Sequence, residues 1–301
     1  MEFSKTKVLA RSFIDALNSL YDLEESWWRK IADDNKNVFI LIRKNELRVQ
    51  ANGGLLLLVK QDEKKNLKCK MHEEYLSLRS ENDPYVTLKE SSTDQIKRVE
   101  GLKGFVEHYD KIKRRISIFT SEEKKVVQYL ANKVPNIVDI EIGFEGELKE
   151  NAGKKSVPRI DIAAITDKGT LVFYEVKLFD NSEIHSKETP KVVGQLKKYK
   201  GWLAENGEDI ITGYNEQLKI YKQLKGRYFE KRAKRIEKIA LYPNPRLIIT
   251  SFDDAQRERF IPSIRDGIKK GFKWMNDSND LITTGDHKNL ATSNRLFLGL
   301  E

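Results

Sequence analysis

The chain is poor in the residues that brace small extracellular domains. It holds one cysteine, Cys69, in 301 residues. That excludes an internal disulfide framework and fits a reducing, cytoplasmic setting. Its histidines, His72, His108, His185 and His287, are scattered without the short paired spacing of a zinc site. The longest aliphatic run, Leu55 to Val59, is far too short to span a bilayer. Met1-Glu-Phe-Ser-Lys carries no apolar export segment, so no membrane partner is expected. Repeats and low-complexity tracts are also missing. What is present is a globular composition, 39% hydrophobic and 9% aromatic, on a chain long enough for two domains with separate cores.

The formal charge of +9 is unevenly spread. Residues 1–150 nearly balance, with 27 basic and 26 acidic side chains, and residues 251–301 balance at 8 and 8. Residues 151–250 carry 20 basic against 12 acidic. A basic excess attracts a polyanion, so DNA is the expected partner of this region. Its most basic stretch runs from Lys219 to Lys238 and includes Lys231, Arg232 and Arg235, with Tyr214, Tyr221 and Tyr228 interleaved. Backbone contacts with base stacking would use such a pattern. A solvated helix face with tyrosines turned into the core is the plainer alternative.

The sharpest local signal is a charged pair inside an apolar run. Leu171-Val-Phe-Tyr-Glu-Val-Lys-Leu-Phe179 reads as a buried strand, yet it carries Glu175 and Lys177. Unpaired buried charge is costly. Pro158-Arg-Ile-Asp-Ile-Ala-Ala-Ile165 is a second strand candidate, and Thr166-Asp-Lys-Gly169 between them reads as a tight turn. A three-residue loop, Asp167 to Gly169, sets 166 opposite 170 and therefore Asp161 opposite Glu175. Opposed side chains of an antiparallel pair have Cβ atoms about 4.5–5.5 Å apart, so the two carboxylates would repel unless a cation sat between them. Lys177 shares their face, and Val176 points to the other. A two-residue loop would undo this register. Asp161, Glu175 and the main-chain carbonyl of Val176 are oxygen donors suited to Mg²⁺, with Mn²⁺ as substitute. Lys177 would orient or deprotonate a water, or steady charge on a phosphate. An ordinary ion pair on a half-exposed strand is the alternative.

These residues resemble the PD-(D/E)xK nuclease superfamily, whose pattern is an acidic residue on one hairpin strand and (D/E)-x-K on the next. Pro158 lies three residues before Asp161 rather than adjacent to it. The helical stretch Thr189 to Leu203 follows, with Val192, Leu196, Tyr199 and Leu203 as a core stripe. Gln195 and Tyr199 share one helix face and resemble the Q-x3-Y element of the superfamily's RecB-like branch, which includes NucS-type endonucleases. There the pair supports the metal site and contacts nucleic acid, and Lys197 and Lys198 beside it are further candidates for phosphate contact. The resemblance covers about residues 118–275. It implies catalytic roles for Asp161, Glu175, Lys177, Gln195 and Tyr199, metal ligation by Asp161, Glu175 and Val176, and Mg²⁺-dependent cleavage of DNA in restriction, phage defence or repair. In many relatives the first helix adds a Glu. Glu123 is the candidate, although Thr120 and Glu123 also fit a capping box.

The expected fold is α/β of the α+β kind: a restriction-endonuclease-like core with a mixed central sheet flanked by helices, in the order α-β-β-β-α-β, preceded by an N-terminal α+β domain with an antiparallel sheet. The expected boundaries are 1–92 for the N-terminal domain, 93–117 for a connecting helix, 118–275 for the nuclease-like domain and 276–301 for a tail. Residues 4–33 read as helical. Strands are expected at Val38–Arg43, Glu46–Ala51, Leu55–Gln61 and Asn66–Leu76, forming a meander whose wet face carries Arg48, Gln50, Lys68, Lys70 and His72. That face is either an ordinary sheet surface or a partner surface. A binding module without turnover and a subunit controlled by a protein partner are the rival readings, and cutting both strands of a duplex would suit a homodimer.

Overall fold

The computed structural model describes residues 3–72, 75, 85–88, 102–143, 159–186, 189–233, 238–272, 279–297 and 300. Along the chain, α1 spans Arg11–Tyr21 and α2 Trp27–Asp33. Strands β1 (Val38–Arg43), β2 (Glu46–Ala51), β3 (Gly54–Gln61), β4 (Leu67–His72) and β5 (Tyr85–Leu88) follow, then α3 (Leu102–Ile116) and α4 (Glu122–Lys133). Next come β6 (Ile137–Gly143), β7 (Arg159–Ile165), β8 (Thr170–Leu178), α5 (Lys191–Gln223) and α6 (Arg227–Arg232). The chain continues through β9 (Ala240–Leu241), β10 (Arg246–Thr250), α7 (Asp254–Arg259), α8 (Ile261–Gly271), β11 (Leu281–Thr283) and α9 (Lys288–Ala291). The fold is α+β, with one antiparallel and one mixed sheet.

Two compact units divide these elements. One gathers Ser4–Asn132 with Gly213–Lys234, and the other gathers Met1–Phe3, Lys133–Thr212 and Arg235–Glu301. This division departs from the sequential one expected from the sequence. Residues 118–132 and 213–234 fall with the N-terminal sheet, and the C-terminal residues fall with the mixed sheet. The physical reason is α5, which runs for 33 residues and carries the chain from one unit to the other. The connecting helix is described only from residue 102 onward, so its expected start at residue 93 lies outside the described residues.

In the N-terminal unit, β1 to β5 form an antiparallel meander in sequence order. Asn52 and Gly53 both take positive φ between β2 and β3, the conformation that a two-residue hairpin turn demands. Leu47, Val49 and Ala51 are buried while Arg48 is exposed, the alternation of a one-sided sheet. Every residue of β1 from Val38 to Ile42 is buried, so this strand is covered on both faces. The helical region expected over residues 4–33 consists of a short 3-10 turn, α1 and α2. Ser26 caps α2 by accepting from the Arg29 N–H at 3.0 Å, which is why the chain restarts a helix there.

In the second unit, the mixed sheet has the order β11-β10-β8-β7-β6, with β9 pairing β8. β6, β7 and β8 are antiparallel, and β10 joins β8 in parallel. Ile160, Ile162, Leu171, Phe173 and Ile248 are fully or almost fully buried. Helix α5 buries Val192, Leu196, Tyr199 and Leu203. Helix α8 packs its last residue closely against it, because a Cβ on Gly271 would lie 2.6 Å from Val193 Cγ1.

Candidate active site

The β7–β8 hairpin closes through the three-residue loop Asp167 to Gly169. The Thr166 N–H donates to the Thr170 carbonyl at 2.9 Å, the Gly169 N–H to the Thr166 carbonyl at 3.0 Å, and Gly169 has φ of +90°, a value that glycine adopts without strain. Thr166 Oγ1 also accepts the Thr170 N–H at 2.9 Å. The register that follows is Ile165↔Leu171, Ala164↔Val172, Ala163↔Phe173 and Ile162↔Tyr174. Continued by one residue, it sets Asp161 opposite Glu175.

The ladder ends there for a chemical reason. Even-numbered residues of the two strands exchange the main-chain hydrogen bonds, so Ile160 and Val176 would be the next bonded pair. Instead the Val176 N–H donates to Asp161 Oδ2 at 2.8 Å. The carboxylate replaces the main-chain acceptor, and β7 parts from β8. A residue's N–H and C=O leave a strand on the same side, so the Val176 carbonyl is turned toward Asp161. On β6, Glu141 takes a positive φ of 53° and pairs with Arg159 at 3.5 Å.

Glu175 and Lys177 are 3% and 5% exposed, and Asp161 is half-buried. Lys177 Nζ lies 2.9 Å from Glu175 Oε1 and 2.9 Å from Glu183 Oε2. The same Glu183 oxygen accepts from Gln195 Nε2 at 3.2 Å. Tyr199, on the face of α5 that carries Gln195, donates its hydroxyl to the Arg159 carbonyl at 2.7 Å and so fixes the start of β7. The Tyr199 hydroxyl is pushed well above the ordinary phenol range, first by burial and then by the carboxylates of Glu175, Asp161 and Glu183. It therefore stays a neutral donor.

Asp161, Glu175, Lys177, Val176, Gln195 and Tyr199 thus lie in one unit at one end of β7 and β8. Glu183, in the loop after β8, was not anticipated. It has no strand or helix period to mark it, and its only sequence signal is an acidic residue between the E-x-K strand and the Q-x3-Y helix. Glu123 belongs to the other unit, half-buried near the start of α4. Because α4 starts at Glu122, Thr120 is not its capping residue, and its hydroxyl donates to the Ile116 carbonyl at the end of α3.

The basic residues divide. Lys197 and Lys198 are exposed on α5. Lys231 is half-buried and donates to the Asn132 carbonyl at 3.4 Å. Arg232 is a correction to the expectation of a nucleic-acid contact: it is fully buried, donates to the Ala131 carbonyl at 2.7 Å, and stacks its guanidinium over Tyr228 at 4.2 Å and Phe39 at 5.0 Å. Tyr214, Tyr221 and Tyr228 are buried as well, so they are core side chains and not a stacking surface. Arg235 lies outside the described residues, as does Pro158.

Among the described residues, no set of three or more His, Cys, Asp and Glu side chains is gathered as a ready metal cage. The donors that β7 and β8 offer are two carboxylates and a main-chain carbonyl, all hard oxygens. The carboxylates of Glu175, Asp161 and Glu183 all act on Tyr199, and two of them, Glu175 and Glu183, share the Lys177 ammonium, so that in the described ion pairs of this site carboxylate outnumbers ammonium, an imbalance that a divalent cation would offset. Gln195 Oε1 is buried without a hydrogen-bond partner among the described residues, an acceptor suited to a hydrated ion. The site therefore fits Mg²⁺ chemically. No helix among the described residues is long and apolar enough to cross a membrane. Comparison with family models, with curated proteins and with solved structures finds no match for this chain.

Proposed function

We propose that this chain is a metal-dependent nuclease of the PD-(D/E)xK kind that hydrolyses DNA. The observation that carries the reading is the hairpin register, which brings Asp161 to Glu175 and the E-x-K lysine onto one end of the sheet, with Glu175 and Glu183 sharing its ammonium. The order β6, β7, β8, α5, β10 supports it, being the β-β-β-α-β part of that superfamily's α-β-β-β-α-β core, while α4, which precedes it in sequence, falls in the other unit. Asp161, Glu175 and the Val176 carbonyl would hold Mg²⁺, which when bound supplies an acidified water and counter-charge for the phosphate.

The chain's own groups do the rest. Lys177, held by its two carboxylate partners, presents a positioned ammonium for an attacking water or for charge developing on phosphate oxygens. Tyr199, protonated throughout the physiological range, holds the Arg159 carbonyl and with it the start of β7, two residues before Asp161. Gln195 lies beside these groups on the same helix face, and the exposed Lys197 and Lys198 suit phosphate contacts that position a strand without reading sequence.

Incubating the protein with supercoiled, linear and single-stranded DNA and Mg²⁺ or Mn²⁺ tests the reading. Cleavage that requires the ion and is lost in Asp161→Ala and Lys177→Ala supports it. Cleavage that survives both substitutions contradicts the residue assignment, and salt-dependent DNA binding without cleavage under any metal favours a binding module.

A further inference from the structure

We propose that Glu183 is a positioning residue of this site, holding the Lys177 ammonium and the Gln195 amide from one carboxylate oxygen. Its catalytic consequence rests on the nuclease reading above, but its geometry does not. Lys177 has a side chain only 6% exposed, and an ammonium so placed needs a counter-charge that stays in position. Glu175 offers one at 2.9 Å, yet Glu175 is also the carboxylate with which a divalent cation would compete. Glu183, at 2.9 Å on Lys177, supplies a counter-charge that is independent of Glu175.

The main chain around Glu183 is built to aim it. Its N–H donates to Asn181 Oδ1 at 3.0 Å, while the Asn181 N–H donates to the Leu178 carbonyl at 3.0 Å, tying the loop to the end of β8. The Glu183 carbonyl accepts the Val192 N–H at 3.1 Å in the first turn of α5, and the next residue, Ile184, is 1% exposed. The loop is therefore fastened both to the strand that carries Lys177 and to the helix that carries Gln195. Glu183 is the side chain that joins them, through Oε2 at 2.9 and 3.2 Å. Its own side chain is 32% exposed, so solvent screens the pair and its contribution to overall stability is small. The effect belongs in the placement of Lys177.

Two readouts on Glu183→Gln and Glu183→Asp test this. Amine acylation followed by mass spectrometry reports how accessible Lys177 is, whether or not the protein cleaves anything. In the unsubstituted chain Lys177 labels far more slowly than the exposed Lys197 and Lys198. Glu183→Gln raises Lys177 labelling by at least about threefold, and Glu183→Asp, which keeps the charge, restores part of the protection. On DNA with Mg²⁺, Glu183→Gln lowers kcat by roughly 10- to 100-fold, as loss of a group supporting a primary site does, with KM within about twofold, and Glu183→Asp recovers part of kcat. Lys177 labelling unchanged by both substitutions overturns the proposal, whatever happens to kcat. Raised labelling in a protein that cleaves no substrate leaves the positioning role standing and removes the nuclease reading. Should Glu183→Gln fail to fold by circular dichroism, Glu183→Asp carries the test alone, with labelling above that of the unsubstituted chain as the expected result and equal labelling as the overturning one.

Discussion

The mixed sheet carries charge clusters on both faces of β8, and the two differ in balance. On one face Arg246, level with Tyr174 in the parallel register, is fully buried with Asp280. Its Nε lies 3.3 Å from Asp280 Oδ1, its Nη1 donates to the Leu296 carbonyl at 3.1 Å, and the Tyr242 hydroxyl donates to Asp280 at 2.9 Å. One cation meets one anion, and the Tyr174 hydroxyl also bonds the Leu296 carbonyl. On the other face Lys177 lies 2.9 Å from both Glu175 and Glu183, and Asp161 accepts the N–H of the residue between Glu175 and Lys177. The first cluster is balanced in charge and docks Leu296 onto the sheet. The second, in its described ion pairs, sets two carboxylates on one ammonium and has a half-buried edge. Buried charge by itself does not distinguish a site from a brace; the imbalance does.

Substitutions on the two faces should fail in different ways. The largest effect is expected from Asp161→Asn and Lys177→Ala, which lower Mg²⁺-dependent DNA cleavage by at least about 10²–10³-fold, the scale for removing one electrostatic group from a transition state. Asp161→Asn should melt no lower than the unsubstituted chain without metal, since it removes surplus negative charge while its oxygen still accepts the Val176 N–H. A large loss of folding stability in Asp161→Asn would make the second cluster a brace like the first.

Arg246→Ala should do the reverse, destabilising the fold by about 3–5 kcal/mol in denaturant unfolding because it strands Asp280 in the interior. A stable Arg246→Ala protein that has lost only cleavage would erase the contrast. Gly271→Ala is expected to cost about 1–3 kcal/mol through overpacking, since its new methyl group meets Val193 Cγ1 at 2.6 Å on the helix that carries Gln195 and Tyr199. Thermal melting checks it.

The smallest effect is a pH dependence. Tyr199, Tyr174 and Tyr109 are all raised from 10.0 in the folded chain, each chiefly by burial. A phenol raised on folding contributes stability that is fully present below pH 10 and is lost as the pH climbs from there toward the folded value. Stability should therefore fall above pH 10. An ultraviolet titration of the native protein at that pH should show fewer ionised tyrosines than the unfolded chain with its eleven.

Where the sequence signal was local, the structure agrees with it. Gly169 ends a tight turn, the two-residue alternation of β7 and β8 sets the register, and the 3.6-residue period puts Gln195 and Tyr199 on one face. Val192, Leu196, Tyr199 and Leu203 form the buried stripe that α5 was expected to have. Where the deciding neighbour is distant in sequence, local pattern misled. Arg232 sits in a run of lysines and arginines and looks solvated, but Phe39 and Ala131 make it a core residue. Short elements, β9 and β11, carry too few residues for a period. Glu183 lies in a loop, where side-chain direction is set by hydrogen bonds to Asn181 and Val192 rather than by any repeat. The division into units was hidden because a single uninterrupted helix, α5, serves both.

The claim that the carboxylate surplus on β8 marks a cation site is tested most directly by calorimetric titration of Mg²⁺ into the unsubstituted chain and into Asp161→Asn and Arg246→Lys. The account predicts saturable binding to the unsubstituted chain, an affinity at least about tenfold weaker in Asp161→Asn, and unchanged binding in a folded Arg246→Lys. Equal affinity in the unsubstituted chain and Asp161→Asn, or no binding to either, would contradict it.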